Sequence, residues 1–369
     1  MPQDVNASAD DRGASDDERV SSVGDSFENG EEQSAEDNKE RKKRGPLKIV
    51  LIVFASLLAL LLIAAGVVAL LVNHSFNSMK TIGDPFTQLS NRPTPAGTST
   101  DGDTPVTFLI LGSDSRISAG DPTQWEAGAQ RTDALLLVQI SGDRESIAVM
   151  SIPRDSWVDI PGVGEAKINA AFSYGGPALT IETVEQLTGV HIDHIAIVDF
   201  TSFIALTDIV GGVDLTTTEG TKHYNGEEAL AFVRERYSLP SGDFDRVRRQ
   251  QAWVKAVLGE IMTPEILSSP SKLMDIYNSL KDHISVDDGL GVTALLSLGS
   301  SLRDIDSDNI IMMTAPYSGT GTSQDGQSIV LLDMETLNEV SKAFQSDTVD
   351  SWVEINSDRV ETLGSRPLR

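Results

Sequence analysis

Residues 49–72, IVLIVFASLLALLLIAAGVVALLV, form a run of 24 positions without a charged side chain. As an α-helix this run is long enough to cross a hydrocarbon core of about 30 Å with some tilt. KERKKRGPLK stands before it, whereas the first basic residue after it is Lys80. The positive-inside rule then places the N-terminus in the cytoplasm and residues 73–369 outside. The run is too long for the apolar part of a cleavable signal peptide, and VNHSFNSMK offers no small-residue cleavage site. A helix buried in a soluble core is the alternative. The expectation is a single-pass protein of the cell membrane with a transmembrane helix over 47–72.

Charge divides at the same boundary. Residues 1–72 hold 8 Lys and Arg against 13 Asp and Glu, which leaves 21 against 42 for the exterior part, a balance of −21. So acidic a surface argues against nucleic acid as a partner. Residues 1–46 read as a disordered acidic cytoplasmic tail, since residues 1–40 carry hardly any large apolar side chain to offset the entropy of ordering. Residues 73–103, with NRPTPAGTSTDGDTP, read as an extracellular stalk. The chain has no cysteine, which excludes disulfides and thiolate metal sites.

From 104 the pattern is that of one α/β domain extending to 350, with 351–369 left as a C-terminal tail. VTFLILG (106–112), ALLLVQI (134–140), SIAVMSI (146–152) and NIIMMTA (309–315) are short apolar runs bounded by Gly, Asp, Ser and Pro, and they predict buried strands. HIAIVDF (194–200) predicts another. Helices are expected over 175–189, stopped by Gly189, and over 201–212, 226–235, 245–262, 270–281, 289–302 and 332–344.

Several candidate site residues fall beside these strand ends. LILGSDSR delivers Asp114 and Arg116 to a carboxyl end, where ligands of open α/β sheets bind. A turn with a surface Asp–Arg pair is the simpler reading of those residues. QRTDALLLV sets Arg131 and Asp133 just before a strand. SIPRDSWVDIPGVGEAKINAAF leaves a strand with Arg154 and Asp155, then passes a Gly-rich turn to Lys167 and Asn169 at a helix start.

FVRERYSLPSGDFDRVRRQQ, residues 232–251, concentrates five arginines in a chain of net charge −26. Arginine suits a pyrophosphate because its planar fork donates two parallel bonds to phosphate oxygens and stays charged. Arg246, Arg249 and Gln250 stand at i, i+3 and i+4, on one helix face. Arg248 lies off that face, toward solvent or Asp245. Arg234 and Arg236 cannot share a face at i, i+2, so the helix must end near Glu235 if both reach one site. A set of surface salt bridges is the alternative for this cluster. Asp114 and Asp133 together fit Mg²⁺ (or Mn²⁺), which binds through one or two carboxylates plus phosphate oxygens. His191 and His194 read as structural or surface residues. No P-loop occurs, and neither Ser113 nor Ser115 has a base in view to make it a nucleophile.

In order and spacing, LILGSDSR, RTDALLLV, SIPRDSWVDIPG, KINAAFSYGGPALTIETVEQLTGVHIDH, VDFTSFIALTDIVGGVDL, NGEEALAFVRER and GDFDRVRRQQ resemble the LytR-CpsA-Psr family over roughly 104–345. The resemblance implies an α-β-α sandwich, a mixed central sheet flanked by helices. It also implies a phosphotransferase that moves a glycopolymer from a polyprenyl-pyrophosphate carrier onto a peptidoglycan hydroxyl through a phosphodiester. On that basis Asp114 and Asp133 hold Mg²⁺ or help to activate the acceptor. Arg154, Arg234, Arg236 and Arg246 grip the pyrophosphate with Gln250 nearby, and Arg154 and Arg236 count with the two acids as catalytic. Arg116, Arg131, Lys167, Asn169 and Arg249 complete the expected binding set. Two departures stand out: the insertion ISAGDPTQWEAGAQ, a possible flap over the acids, and Ala134 where a hydroxyl is usual. A polyprenyl-diphosphate pyrophosphatase and a non-catalytic binder of lipid-linked glycan remain the competing readings.

Overall fold

The computed structural model describes residues 80–97, 103–113, 132–235, 239–281, 284–302 and 305–369, all within one compact unit. The tail 1–46 and the apolar run 49–72 lie outside the described residues, among which no helix is long and apolar enough to cross a membrane.

The strands are β1 (Lys80–Thr81), β2 (Val106–Ser113), β3 (Thr132–Ile140), β4 (Ile147–Ile152), β5 (Trp157–Ile160), β6 (Gly164–Lys167), β7 (His194–Val198), β8 (Val213–Thr217), β9 (Gly220–Tyr224), β10 (Ile284–Val286), β11 (Ile310–Thr314), β12 (Tyr317–Thr322) and β13 (Ser328–Leu332). The longer helices are α1 (Ala170–Thr188), α2 (Phe200–Ile209), α3 (Gly226–Arg234), α4 (Asp243–Ile261), α5 (Pro270–Leu280), α6 (Val292–Ser301), α7 (Met334–Gln345) and α8 (Val349–Ile355). Seven strands make one mixed sheet in the order β1-β10-β7-β2-β3-β4-β11. β3 runs antiparallel to β2 and β4, while β7 and β11 run parallel to β2 and β4 respectively.

The central strands read as unbroken apolar runs because both faces of the sheet are covered. Leu135, Leu137 and Met150 point to one face and pack with Ile181 and Val184 of α1 and Val340 and Phe344 of α7. Leu136 and Val149 point to the other, against Val254 and Leu258 of α4 and Leu295 of α6. A third cluster joins the β8–β9 hairpin to α2, α3 and α4, where the Trp253 ring stacks on Phe203 at 3.8 Å.

α1 starts five residues earlier than its sequence pattern indicated, because two helical stretches join across a kink. Gly176, at φ 62° and ψ −152°, makes the bend, and Pro177 opens the second stretch where its missing N–H is harmless. The stop at Gly189 is the left-handed cap that its glycine permits.

Register aligns Lys80, Ser285, Ile197, Leu111, Leu135 and Ile152 in one row across the sheet. The chain therefore joins the sheet at the same end from which Asp133 and Arg154 project. This corrects the reading of 73–103 as a stalk where 80–97 are concerned; 73–79 and 98–102 lie outside the described residues. Lys80 and Thr81 are a sheet edge, Phe86 and Leu89 pack on the core, and Arg92 meets the buried carboxylate of Glu185 at 2.7 Å. Its polar, proline-rich composition resembled a linker, but its partners are supplied by α1 and the loop behind it.

The reading of 351–369 as a tail is corrected likewise. α8 begins before that boundary, Val360 and Leu368 are buried, and the backbone is bonded into the domain. Thr314 N–H donates to Glu361 O at 2.9 Å, Leu363 N–H to Met312 O at 3.0 Å, and Thr218 N–H to Leu368 O at 2.8 Å.

Candidate functional site

At the end of the sheet where β3 begins and β4 ends, Asp133 accepts an ion-paired hydrogen bond from Arg154 Nη1. Arg154 also lies 3.8 Å from Asp155 through Nε and 3.9 Å from Asp243 through Nη2. Lys167 Nζ stands 3.0 Å from Asp155 Oδ1, and Arg246 Nη2 stands 2.7 Å from Asp243 Oδ1.

Local structure explains each placement. The turn after β4 is held by three amides from two other segments. Asn169 N–H donates to Arg154 O at 3.2 Å, Val330 N–H to Asp155 O at 2.9 Å, and Ile168 N–H to Ser156 O at 2.8 Å. The β5–β6 hairpin pairs Trp157 with Lys167, which returns the lysine beside Asp155. Gly242, at φ 54°, turns the chain into α4, so Asp243 and Arg246 meet at i, i+3 in its first turn.

Among the described residues three cations and three carboxylates balance in this cluster, and most of it is shielded: Arg246 is 8% exposed, Arg154 19% and Asp133 23%. An incoming anion must therefore draw the arginines away from their carboxylates, or a divalent cation must take those carboxylates over. Residues within two positions of Asp133 and Arg154 also carry buried polar atoms that make no hydrogen bond. Thr132 Oγ1, Ser156 Oγ and Arg154 Nε are buried without a hydrogen-bond partner among the described residues. Such orphaned groups are costly unless a ligand or water meets them.

The structure gathers Asp133, Arg154, Lys167 and Arg246 from the expected set, with Asn169 adjoining through its backbone. Arg249 does not join them. Although it shares a helical face with Arg246, its guanidinium lies over the Phe232 ring at 3.9 Å and donates to Phe232 O at 3.0 Å and Arg369 O at 2.6 Å. Burial pushes its pKa down, against the pull of Tyr224 and Glu235. Gln250 is half-buried on the next position of α4. Arg234 is exposed as the last residue of α3, which ends at Glu235 in extended backbone (φ −63°, ψ 134°). Asp114, Arg116, Arg131, Arg236 and the 117–130 insertion lie outside the described residues.

Arg248 corrects its expectation: it is not solvent-facing but 1% exposed, because three backbone carbonyls of the C-terminal segment receive its donors. Asp243 was not singled out from sequence, though its i, i+3 spacing to Arg246 was the available signal. His191 and His194 are structural. The first donates through Nδ1 to Pro93 O at 2.8 Å, and the second meets Asp287 at 3.2 Å. Burial works to raise the Asp287 carboxyl, but His194 and the Ile195 and Gly289 amides together outweigh it and hold it below the usual range.

The LytR_cpsA_psr family model matches residues 73–346. The cell wall biosynthesis protein LcpA of Corynebacterium glutamicum is 28% identical over 299 residues, covering 68% of this chain and 56% of the relative. The probable cell wall biosynthesis protein LcpB of the same organism is 32% identical over 75% of this chain and 66% of its own length. The chain thus spans between half and two thirds of these two relatives. TagU of Enterococcus faecalis, a polyisoprenyl-teichoic acid–peptidoglycan teichoic acid transferase, is 26% identical over 81% of this chain and 97% of its own. Among solved structures, B. subtilis TagV superposes with a TM-score of 0.56 at 27% identity, covering 67% of this chain and 97% of that one.

Proposed function

The chain belongs to the LytR-CpsA-Psr family, and from that premise we propose that it is a membrane-anchored extracellular phosphotransferase. It takes a glycopolymer from a polyprenyl-pyrophosphate carrier and joins it through a phosphodiester to a peptidoglycan hydroxyl. The observation that carries this reading is the cluster at the sheet end, where Arg154 meets Asp133, Asp155 and Asp243 while Lys167 pairs with Asp155 and Arg246 with Asp243. The transferase named for the E. faecalis relative supports it.

In this reaction the acceptor oxygen attacks the glycan-side phosphorus. The bridging P–O bond breaks, and polyprenyl phosphate leaves as the acceptor proton is lost. Phosphoryl transfer is chiefly positioning plus neutralisation of charge on the phosphate oxygens. Arg154 and Arg246 supply the latter once they turn from Asp133 and Asp243 to the pyrophosphate, and Lys167 keeps Asp155 from following. Asp133, a partly exposed carboxylate beside phosphate-binding arginines, fits a Mg²⁺ (or Mn²⁺) ligand, with Asp114 as its expected partner. The ion would add charge neutralisation and Lewis acidity there.

The apolar run 49–72 is read as the anchor, N-terminus inside, with the described domain outside. Seven residues, 73–79, separate it from Lys80, and fully extended they reach ~25 Å. That short tether keeps the site near a lipid-borne substrate.

The test uses the full chain in detergent with a radiolabelled polyprenyl-pyrophosphate glycan, peptidoglycan fragments and Mg²⁺. Label entering peptidoglycan, and lost with Arg154→Ala, is the expected result. Label released regardless of acceptor would make the protein a pyrophosphatase. Binding without turnover would make it a carrier.

A further inference from the structure

Arg248 lies two residues after Arg246 on α4, yet its guanidinium points into the C-terminal segment. Nη1 donates to Pro367 O at 3.0 Å, and Nη2 donates to Leu363 O at 3.2 Å and to Arg366 O. Its Nε lies 3.4 Å from Glu361 Oε1. Glu361 in turn accepts from Arg366 Nε at 2.6 Å and from Tyr317 O–H at 3.2 Å. The circuit closes on the first turn of α4. Arg366 lies 3.4 Å from Asp245, and the Tyr317 ring stacks on Phe244 at 4.4 Å. Phe244 and Asp245 directly follow Asp243 and Arg248 stands two residues past Arg246, so the ties flank both site residues.

Charge favours a closed circuit. Burial, and then the neighbouring Arg366, push the Arg248 pKa down, while Glu361 and Asp245 offset them. With Arg248 and Arg366 facing Asp245 and Glu361, two charges of each sign are balanced. Breaking one pair leaves a buried charge exposed to the full cost of its desolvation. The arrangement therefore has one setting, and α4 cannot rotate without disrupting it.

We propose that residues 360–369 act as a positioning clamp on α4, with Arg248 and Glu361 as positioning residues that set the aim of Arg246 at the pyrophosphate. The C-terminal half of the clamp, Glu361 to Arg369, lies beyond the residues matched by the family model, which end at 346. The proposal rests on the pyrophosphate reading of the site.

The experiment measures affinity for inorganic pyrophosphate by calorimetry on the full chain in detergent, beside thermal melts. The variants are Arg246→Ala, Glu361→Gln, Arg248→Met, Arg248→Lys and, as a stability control at the opposite end of the sheet, Arg92→Ala. Glu361→Gln and Arg248→Met should weaken binding about 5- to 10-fold, the range of one ordinary hydrogen bond lost or misaimed. Arg248→Lys should recover part of that loss. Arg92→Ala should bind as the wild type despite an equal or larger fall in melting temperature. If Arg248→Met does not fold, Tyr317→Phe, which removes one hydroxyl and keeps the ring on Phe244, carries the same expectation. Wild-type affinity in Glu361→Gln, while Arg246→Ala loses binding, would overturn the clamp and leave the site reading intact. Unchanged binding in Arg246→Ala would overturn both.

Discussion

Asp243 and Arg246 meet at 2.7 Å one turn apart on α4, so the helix brings its own counterion into the site. The same carboxylate also lies 3.9 Å from Arg154. Asp243 competes with any phosphate for both guanidinium groups. Asp243→Asn should tighten metal-free binding of inorganic pyrophosphate several-fold, about 1 kcal/mol for a partly screened pair. Calorimetry in the presence of EDTA reads this directly, and weaker binding would assign Asp243 a ligand-holding role instead.

Glu185 is 4% exposed, receives Ile192 N–H at 2.9 Å and depends on Arg92 for its counter-charge. Arg92→Ala should cost about 3 kcal/mol, as removing one partner of a buried pair does. Denaturant unfolding would show a lower midpoint with an unchanged slope. A shift under 1 kcal/mol would mean that residues 80–97 contribute little to the fold.

Asp347 carries a pH-dependent penalty. Burial, the largest effect, raises its carboxyl pKa, and Asp143 and Asp350 add to the rise against the bond from Gly142 N–H at 2.8 Å. The folded state thus holds this proton more tightly than the unfolded chain does. Stability falls as pH rises from the ordinary carboxylate value through the raised one, and stays lower above it. Asp347→Asn keeps the acceptor for Gly142 and suits the φ of 56° at this position. The variant should melt higher than the wild type at pH 7, with the gain disappearing below about pH 4. An equal gain at both pH values would separate the effect from ionisation.

Gly176 holds the α1 kink at a φ and ψ that only glycine adopts readily. Gly176→Ala should destabilise by about 1–3 kcal/mol. Thermal melts read the loss, and a neutral outcome would mean that the kink straightens without cost.

The sheet was readable in advance because its central strands are buried on both faces. A strand of that kind must be apolar along its whole length, as ALLLVQI and IAVMSI are, and its end is marked where polar residues begin. Asp133 and Arg154 were identified by that same mark, so their convergence needed only neighbouring strands. Asp243 carried a weaker signal, an acid one turn before an arginine, which surface helices also show.

The α/β layering, the ends of β3 and β4, and the glycine stop of α1 are written in the residue pattern, since each follows from local burial or backbone geometry. The roles of the polar segments emerge from the folded chain instead. Residues 73–103 and 351–369 read as a stalk and a tail, yet 80–97 of the first and the whole of the second are packed into the domain. Arg249 shares a helix face with Arg246 yet serves Phe232 and Arg369, and Arg248 is buried against Leu363, Arg366 and Pro367. The partners in these cases are backbone carbonyls, which every residue possesses. A guanidinium that binds them leaves no mark in composition or spacing, so its role is set by where distant chain segments meet.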